Sequence, residues 1–429
     1  MKDFGVGALP GEEFEEMGRE LKEGMVIARM LQDAGYDGLD GDVGCYDSWY
    51  WNHPPMYFED GLYLPFNREL KKHVTIPVLT AGRMDDPEVA LRAVRTKATD
   101  FVGLARPLLA DAHLVNKLLK GEERDIRPCL SCQEGCIGRL KKYLHISCAV
   151  NPAACREKDF DLKRTNMPEK VGVIGGGIAG CEAARVLKLR GHEPEIFEKS
   201  CRLGGKLYQA GAPDFKKDDS RLIRWYEYQI EKLKIPVHFG ANIQGAEDMQ
   251  EFDRIIIATG SEPVWIKLGQ GVIVVHAGDV MEHPEKYQDP FVIVGGGLVG
   301  CETALMLAKK GKRVCIVEAL PELMAVNGPT CYANRQMLID LIRFFRIPVY
   351  ESSRARQTDE EGLIIDTAEG TKHVPAGTVV LSVGYRADQK LAEELLRAGK
   401  EVYVAGEAKD GSGNILQSVW DAYEIASGL

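Results

Sequence analysis

The sequence predicts an α/β protein made of three kinds of segment: the C-terminal part of a TIM (β/α)8 barrel, a cysteine-rich stretch, and two Rossmann-like dinucleotide-binding domains. Three observations predict it. A glycine-rich strand-turn-helix-strand unit occurs twice, at 171–198 and 291–318, with 11 of 28 aligned positions identical. Residues 1–128 alternate helical periodicity with short apolar strands. Between these halves, Cys129, Cys132, Cys136 and Cys148 fall inside one short stretch.

At 429 residues the chain has room for several domains of about 100 to 200 residues each. An apolar fraction of 45% with 28% charged residues is that of a soluble protein, and no run of about 18 apolar residues offers a membrane span. The net charge of -10 argues against a nucleic-acid surface, because phosphate backbones are bound by basic patches. The N-terminus, MKDFGVGALPGEEFEE, lacks the basic start and apolar core of a secretory signal, so the cytoplasm is the expected compartment. There, eleven cysteines stay reduced unless they bind metal. Cys181, Cys301 and Cys315 lie in apolar helix or strand patterns and are expected in the core.

In the N-terminal part the periodicity predicts helices at 11–34, 86–98 and 110–120, with strands in DGLDGDVG, IPVLTAGR and DFVGLARP. A closed parallel barrel needs eight strands and about 250 residues, so residues 1–128 are expected to be the last three βα units of one. Met1 is then expected to be an internal start in a longer reading frame.

The first repeated unit carries Gly175, Gly177 and Gly180 in G-x-G-x-x-G spacing. The first glycine permits a tight turn, the second admits a pyrophosphate to the backbone, and the third lets helix and strand pack closely. Glu198, at the end of the following strand, is placed for a ribose hydroxyl. Gly295, Gly297, Gly300 and Glu318 repeat every element, so both units are expected to bind dinucleotides. The ALPEL after Glu318 lacks an arginine for a 2'-phosphate, which favours NADH over NADPH; the bland alternative for Glu318 is a solvated strand-end acid. Each unit is followed by a strand running into a glycine turn, at Gly260 and at Gly384, and the tail adds a strand, a turn and a closing helix.

The cysteine spacing is C-x-x-C-x-x-x-C, then eleven residues, then C. Structural zinc sites favour two C-x-x-C pairs, whereas three clustered cysteines with one remote partner match ligation of a [4Fe-4S] cluster by four thiolates. Cys155 is a fifth candidate that this count does not need.

LGGKL at 203–207, ATG at 258–260 and VAGE at 404–407 resemble the FAD-binding signatures of two-dinucleotide-domain flavoprotein reductases. That resemblance implies FAD contacts at Gly204, Gly205, Lys206, Thr259, Gly260, Gly406 and Glu407, with Glu407 standing where the signature usually has Asp. It also implies an FAD domain at 169–288 and 389–429 with an NADH domain, 289–388, inserted in it.

GLARPLLAD, the cysteine cluster and SCAVNPAACRE together resemble the NADH:flavin oxidoreductase family of the 2,4-dienoyl-CoA reductase, 2-enoate reductase and trimethylamine dehydrogenase type. The resemblance implies an iron-sulfur segment at 129–168 and an FMN phosphate site on Gly82 and Arg83 of AGRM and on Gly103, Ala105 and Arg106 of GLARP. The aromatic loop CYDSWYWNHPPMYF is closest to the 2-enoate reductase branch; it offers Tyr46 and His53 as proton donors, or simply a pocket wall. The implied activity passes electrons from NADH to FAD, through the cluster to FMN, and reduces an activated C=C bond of an enoate or enoyl-type small molecule. Two other readings stand beside it. One is an electron-transfer (diaphorase) module that feeds a separate partner, or is completed by a chain supplying the missing barrel half. The other is an inactive gene fragment.

Overall fold

The computed structural model describes Leu9 and residues 18–46, 48–326, 331–411 and 413–429. Among these, no helix is long and apolar enough to cross a membrane. The N-terminal part is a three-stranded parallel sheet, Leu39–Gly41, Val78–Thr80 and Phe101–Val102 in that order, with Thr80 paired to Val102. Each strand is followed by a loop at its C-terminal end, so loops 42–63, 81–86 and 103–105 share one rim.

The helices here differ from the periodicity in several places, including short helices at Trp49–Asn52 and Leu64–Leu70 that it did not predict. The first is Leu21–Asp33, preceded by an extended Glu20, and positions 11–17 lie outside the described residues. The helix expected at 110–120 is formed only over Leu114–Leu119, after a separate short helix at Arg106–Ala110. Asp111 causes the break, because its carboxylate accepts from the backbone N–H of His113 (3.0 Å) and of Arg127 (2.9 Å) and pairs with Lys117 (2.7 Å). The helix Pro87–Arg95 starts where expected, with Asp86 capping Glu88 N–H at 2.9 Å and proline at the first turn.

Two five-stranded parallel sheets follow. The first, in the order Glu401–Val404, Arg254–Ile257, Lys170–Ile174, Glu193–Glu198, Val237–Phe239, carries the first glycine turn. The second, in the order Val349–Tyr350, Val314–Val317, Phe291–Val294, Thr378–Leu381, Ile273–His276, carries the second. Ile273–His276 was expected in the first domain, inside 169–288, but its backbone pairs with Thr378–Leu381, which makes it a strand of the second sheet. The chain crosses between the two units at Ser261–Pro263 and Tyr385–Ala387, which pair with each other.

The aromatic loop is more than a pocket wall. Tyr50, Met56, Tyr57 and Phe58 are buried in one core with Phe291, Leu305 and Leu338 of the second unit. Each such side chain contributes about 1.5 to 3 kcal/mol by leaving water. Their polar ends are matched: Tyr50 donates to Asp340 (3.2 Å) and Tyr57 to Glu302 (3.0 Å).

Glu302 is also the ion-pair partner of buried Lys216 from the first unit, at 3.2 Å, and Lys216 lies 3.5 Å from Asp219. One lysine thus faces two acids. Burial pushes Asp219 up to about 6 against the pull of Lys216. Unfolded Asp titrates near 3.9, so between about pH 4 and 6 the folded protein holds a proton that the unfolded chain has lost. The contribution of Asp219 is therefore full below pH 4 and is lost as pH rises through 6. Asp219→Asn is expected to remove this decline, so that the wild type loses on the order of 2 kcal/mol more than the variant between pH 4 and pH 7. Urea midpoints at the two pH values measure it, and parallel curves would refute it.

Candidate functional site

The two glycine turns are built alike. Gly175 and Gly295 sit at φ 106° and 105°, a region closed to side chains, and a Cβ on either would meet a carbonyl oxygen at 2.3 Å. A Cβ on Gly180 would lie 1.9 Å from the Gly175 oxygen, and one on Gly300 would lie 2.0 Å from that of Gly295. Gly177 and Gly297 have open space within 4 Å on their Cβ side, and each caps the following helix, Ile178–Arg190 or Leu298–Lys309. Open backbone at a helix N-terminus suits a pyrophosphate.

Glu198 and Glu318 are both buried, with one carboxylate oxygen accepting from the turn, Gly176 N–H or Gly296 N–H, at 2.6 Å. The other oxygen accepts from Ser200 N–H or Leu320 N–H at 2.7 Å. These bonds hold each acid against its turn rather than leaving it solvated. Arg313, at the opposite end of strand Val314–Val317 from Glu318, is paired with Asp289 at 2.7 Å, and Arg335 is paired with Glu322 at 3.2 Å.

The other expected FAD residues gather at the C-terminal rim of the first sheet. Gly204 and Gly205 have positive φ, and Gly204 donates to the Gly176 oxygen at 2.8 Å. Lys206 reaches Glu407 (3.0 Å) and Ser261 (2.6 Å) and lies 4.0 Å from the Tyr385 ring centroid. Ser261 also donates to Glu407 at 2.8 Å, so the longer Glu is engaged by two partners at this position. Gly260, Gly384 and Gly406 all have positive φ, and Thr259 beside Gly260 is exposed.

Cys129, Cys132, Cys136 and Cys148 line one cavity with Arg106 and Leu130. Gly135 brings the remote cysteine in: a Cβ there would lie 2.6 Å from the Cys148 carbonyl carbon, and the Gly135 oxygen accepts from Ser147 N–H at 2.8 Å. Burial pushes the Cys129 thiol up to about 12 and Cys148 to about 11, and it also raises Cys132 and Cys136. Such thiols ionise only beside a compensating positive charge, which a bound metal supplies. Among the described residues no group of three ligand-type side chains is spaced for a single ion. Four thiols around one cavity are soft donors of the kind that hold zinc or an iron-sulfur cluster. Cys155 is exposed and does not line the cavity. Gly135→Leu is expected to displace Cys148 and to lower bound metal by more than half, by metal analysis of purified protein; full retention would contradict this geometry.

On the barrel rim the expected phosphate residues have different surroundings. Gly82 packs on Tyr63, whose ring a Cβ would meet at 2.5 Å, and Gly103 packs on Leu79 at 2.9 Å. Ala105 is exposed at the N-terminus of Arg106–Ala110. Arg106 donates to the Pro54 oxygen (2.9 Å) and lines the cysteine cavity. Arg83 differs from the expectation most. Its guanidinium is 1% exposed and faces Asp60 (2.9 Å), Asp218 (3.1 Å) and Asp85 (3.8 Å), with a further bond to Ser131 of the cysteine loop. The guanidinium is thus held among three acids with its Nε unpartnered, and the backbone N–H groups of AGRM are further anion-binding groups.

Tyr46 is 85% exposed and stacks on Trp49 at 5.3 Å, which stacks on His53 at 4.3 Å. Lys141 sits 4.0 Å from the Trp49 ring centroid. Burial lowers the His53 pKa, and Arg106 and Lys141 lower it further against the opposing Asp42. Its Nδ1 is buried without a hydrogen-bond partner. The stack therefore offers aromatic faces, a neutral imidazole and two nearby cations.

Residues 170–406 match the pyridine nucleotide-disulphide oxidoreductase family, and residues 13–125 match the NADH:flavin oxidoreductase / NADH oxidase family. This chain belongs to the NADH:flavin oxidoreductases that carry such a pyridine nucleotide unit. The oxidoreductase is 44% identical to cinnamate reductase of Clostridium sporogenes over 431 residues, covering 100% of this chain and 64% of that protein. It is 34% identical to NADH oxidase of Thermoanaerobacter brockii, covering 97% of this chain and 65% of that one. The chain thus spans just under two thirds of the length of these two relatives. Among solved structures, 2-naphthoyl-CoA reductase in complex with 2-naphthoyl-CoA superposes with a TM-score of 0.86 at 27% identity, over 95% of this chain and 62% of that one.

Sequence reasoning missed the groups that join the units of the oxidoreductase. Lys216 and Glu302 were not singled out, nor were Gln133 and Asn334 of the cysteine-loop surroundings. The only local signal was the Cys-Glu pair shared by both repeats, Cys181-Glu182 and Cys301-Glu302. Glu182 holds Arg185 within its own helix (2.7 Å), whereas Glu302 reaches out to another unit.

Proposed function

We propose that this chain is the NADH-, FAD- and iron-sulfur-bearing portion of an oxidoreductase that reduces an activated C=C bond of an aryl-substituted enoate. The observation that carries the reading is the four-cysteine cavity set between two complete dinucleotide turns and the rim of a flavin-type barrel sheet. When bound, FAD and FMN would supply two-electron hydride chemistry, and a [4Fe-4S] cluster would supply one-electron transfer between them.

The chain's own residues have assigned parts in this reading. Gly175, Gly177, Gly180 and Glu198 receive FAD in the first unit, with Lys206 and Glu407 beside its chain. Gly295, Gly297, Gly300 and Glu318 receive NADH, and the lack of an arginine in the ALPEL that follows Glu318 supports NADH over NADPH. The backbones of Gly82, Gly103 and Ala105 form the FMN phosphate side, with Arg106 between that rim and the cysteines. Of the two proton-donor candidates, Tyr46 carries the role in this reading, because the lowered pKa of His53 leaves its imidazole neutral. The Tyr46–Trp49–His53 stack supports an aromatic substrate, and Arg106 and Lys141 support one that bears a carboxylate. The name of the C. sporogenes relative points the same way.

Anaerobic purification followed by NADH-driven reduction of cinnamate tests the reading. Reduction of cinnamate supports it. NADH oxidation with a dye acceptor but no cinnamate reduction, even with FMN added, would favour the electron-transfer module instead.

A further inference from the structure

The helix Tyr332–Phe344 of the second unit starts directly on the cysteine loop. Asn334, 2% exposed, donates from Nδ2 to the Cys132 oxygen at 2.5 Å. Cys331, fully buried, donates its thiol proton to Gln133 Oε1 at 2.9 Å. Gln133 in turn donates from Nε2 to the His53 oxygen at 2.5 Å. Both Ser131 and Gln133 hold positive φ, at 49° and 63°, a conformation that non-glycine residues adopt only when their surroundings impose it. The loop between Cys129 and Cys136 is therefore shaped by bonds from outside it.

The same helix is tied to the second glycine turn. Arg335 donates to the Leu323 oxygen at 2.8 Å, and the next residue, Met324, donates its N–H to the Gly296 oxygen at 2.8 Å. Gly296 N–H is bonded to Glu318. A dinucleotide that orders the turn at Gly296 thus acts on a short, packed series of bonds ending at the Cys132 peptide.

We infer that Asn334 is a positioning residue that couples occupancy of the second glycine turn to the conformation of the cysteine loop. Linkage makes the coupling reciprocal: NAD+ shifts the reduction potential of a cluster held by the loop, and cluster reduction shifts NAD+ affinity by the same factor. This rests on the cysteine site holding a cluster and the second turn holding NADH.

The test uses the full chain, purified anaerobically, with NAD+ as the probe. In a visible and EPR redox titration, saturating NAD+ is expected to move the cluster midpoint by about 59 mV, a tenfold change for one electron. Asn334→Ala is expected to abolish that shift while leaving flavin content and NADH oxidation with a dye acceptor within about twofold. No shift in the wild type, or an unchanged shift in N334A, would overturn the inference. Asn334→Asp, of nearly the same size but without the donor, replaces N334A if that variant does not fold. Should iron analysis find no cluster, the reading of the cysteine site fails and the coupling is read separately on the metal-free chain. There, NAD+ is expected to slow alkylation of Cys132 at least threefold in the wild type and not in the variant, and equal rates would overturn it.

Discussion

Gly180→Val is expected to leave the purified protein with less than a tenth of its wild-type FAD and to lower NADH oxidation with a dye acceptor about 100-fold. Even one added carbon would lie 1.9 Å from the Gly175 carbonyl oxygen, a backbone atom of the turn itself. Helix Ile178–Arg190 must then move off the strand Lys170–Ile174, and the turn loses the shape that presents open backbone at Gly177. Overpacking of this kind costs about 3 kcal/mol or more, enough for a hundredfold loss of affinity. The equivalent substitution in the second unit, Gly300→Val, faces the Gly295 oxygen at 2.0 Å and has a different expected result. FAD is retained, and the loss is in KM for NADH. Flavin absorbance and NADH kinetics on the two variants separate the sites. Loss of FAD from G300V with retention in G180V would reverse the assignment of the units.

Arg83→Met is expected to destabilise the protein by about 3 to 5 kcal/mol, read from urea denaturation at neutral pH. The substitution leaves Asp60, Asp85 and Asp218, whose side chains are 3% to 5% exposed, without the guanidinium among them. Lys217 still pairs with Asp60 (2.7 Å) and Arg221 with Asp218 (3.2 Å), so the site is weakened rather than emptied of positive charge. Removing one acid as well, in Arg83→Met with Asp218→Asn, is expected to recover about 1 to 2 kcal/mol, because fewer buried charges are then left uncompensated. A single variant within about 1 kcal/mol of wild type would show that Arg83 is not the hub of this junction. The bond from Arg83 to Ser131 adds a second readout, since losing it should loosen the cysteine loop and speed metal loss to a chelator.

The fate of Arg83 shows where the sequence stops being informative. Gly175, Gly180 and Glu198 could be read from the sequence because their requirements arise within one βαβ unit, from contacts such as that between Gly180 and Gly175. The four cysteines could be read for the same reason, by spacing. Arg83 lies in a loop that the family resemblance makes part of a phosphate site, but its partner Asp218 is 135 residues away, and no local pattern announces that pairing. Likewise, an apolar strand such as Ile273–His276 looks the same in either domain until its neighbour, Thr378–Leu381, is known. The aromatic loop looked like a pocket wall because its composition does not say that Tyr50, Tyr57 and Phe58 turn into the core of the second unit.

In the proposed function, four thiolates of this chain hold an iron-sulfur cluster supplied with electrons from NADH. That arrangement is tested most directly by anaerobic purification with iron, sulfide and flavin analysis, followed by EPR after addition of NADH alone. The expected result is about four irons and four sulfides per chain, one FAD, and a reduced-cluster signal that appears with NADH and is absent from Cys132→Ser. One zinc per chain, or a flavin bleached by NADH with no cluster signal in the intact protein, would contradict it.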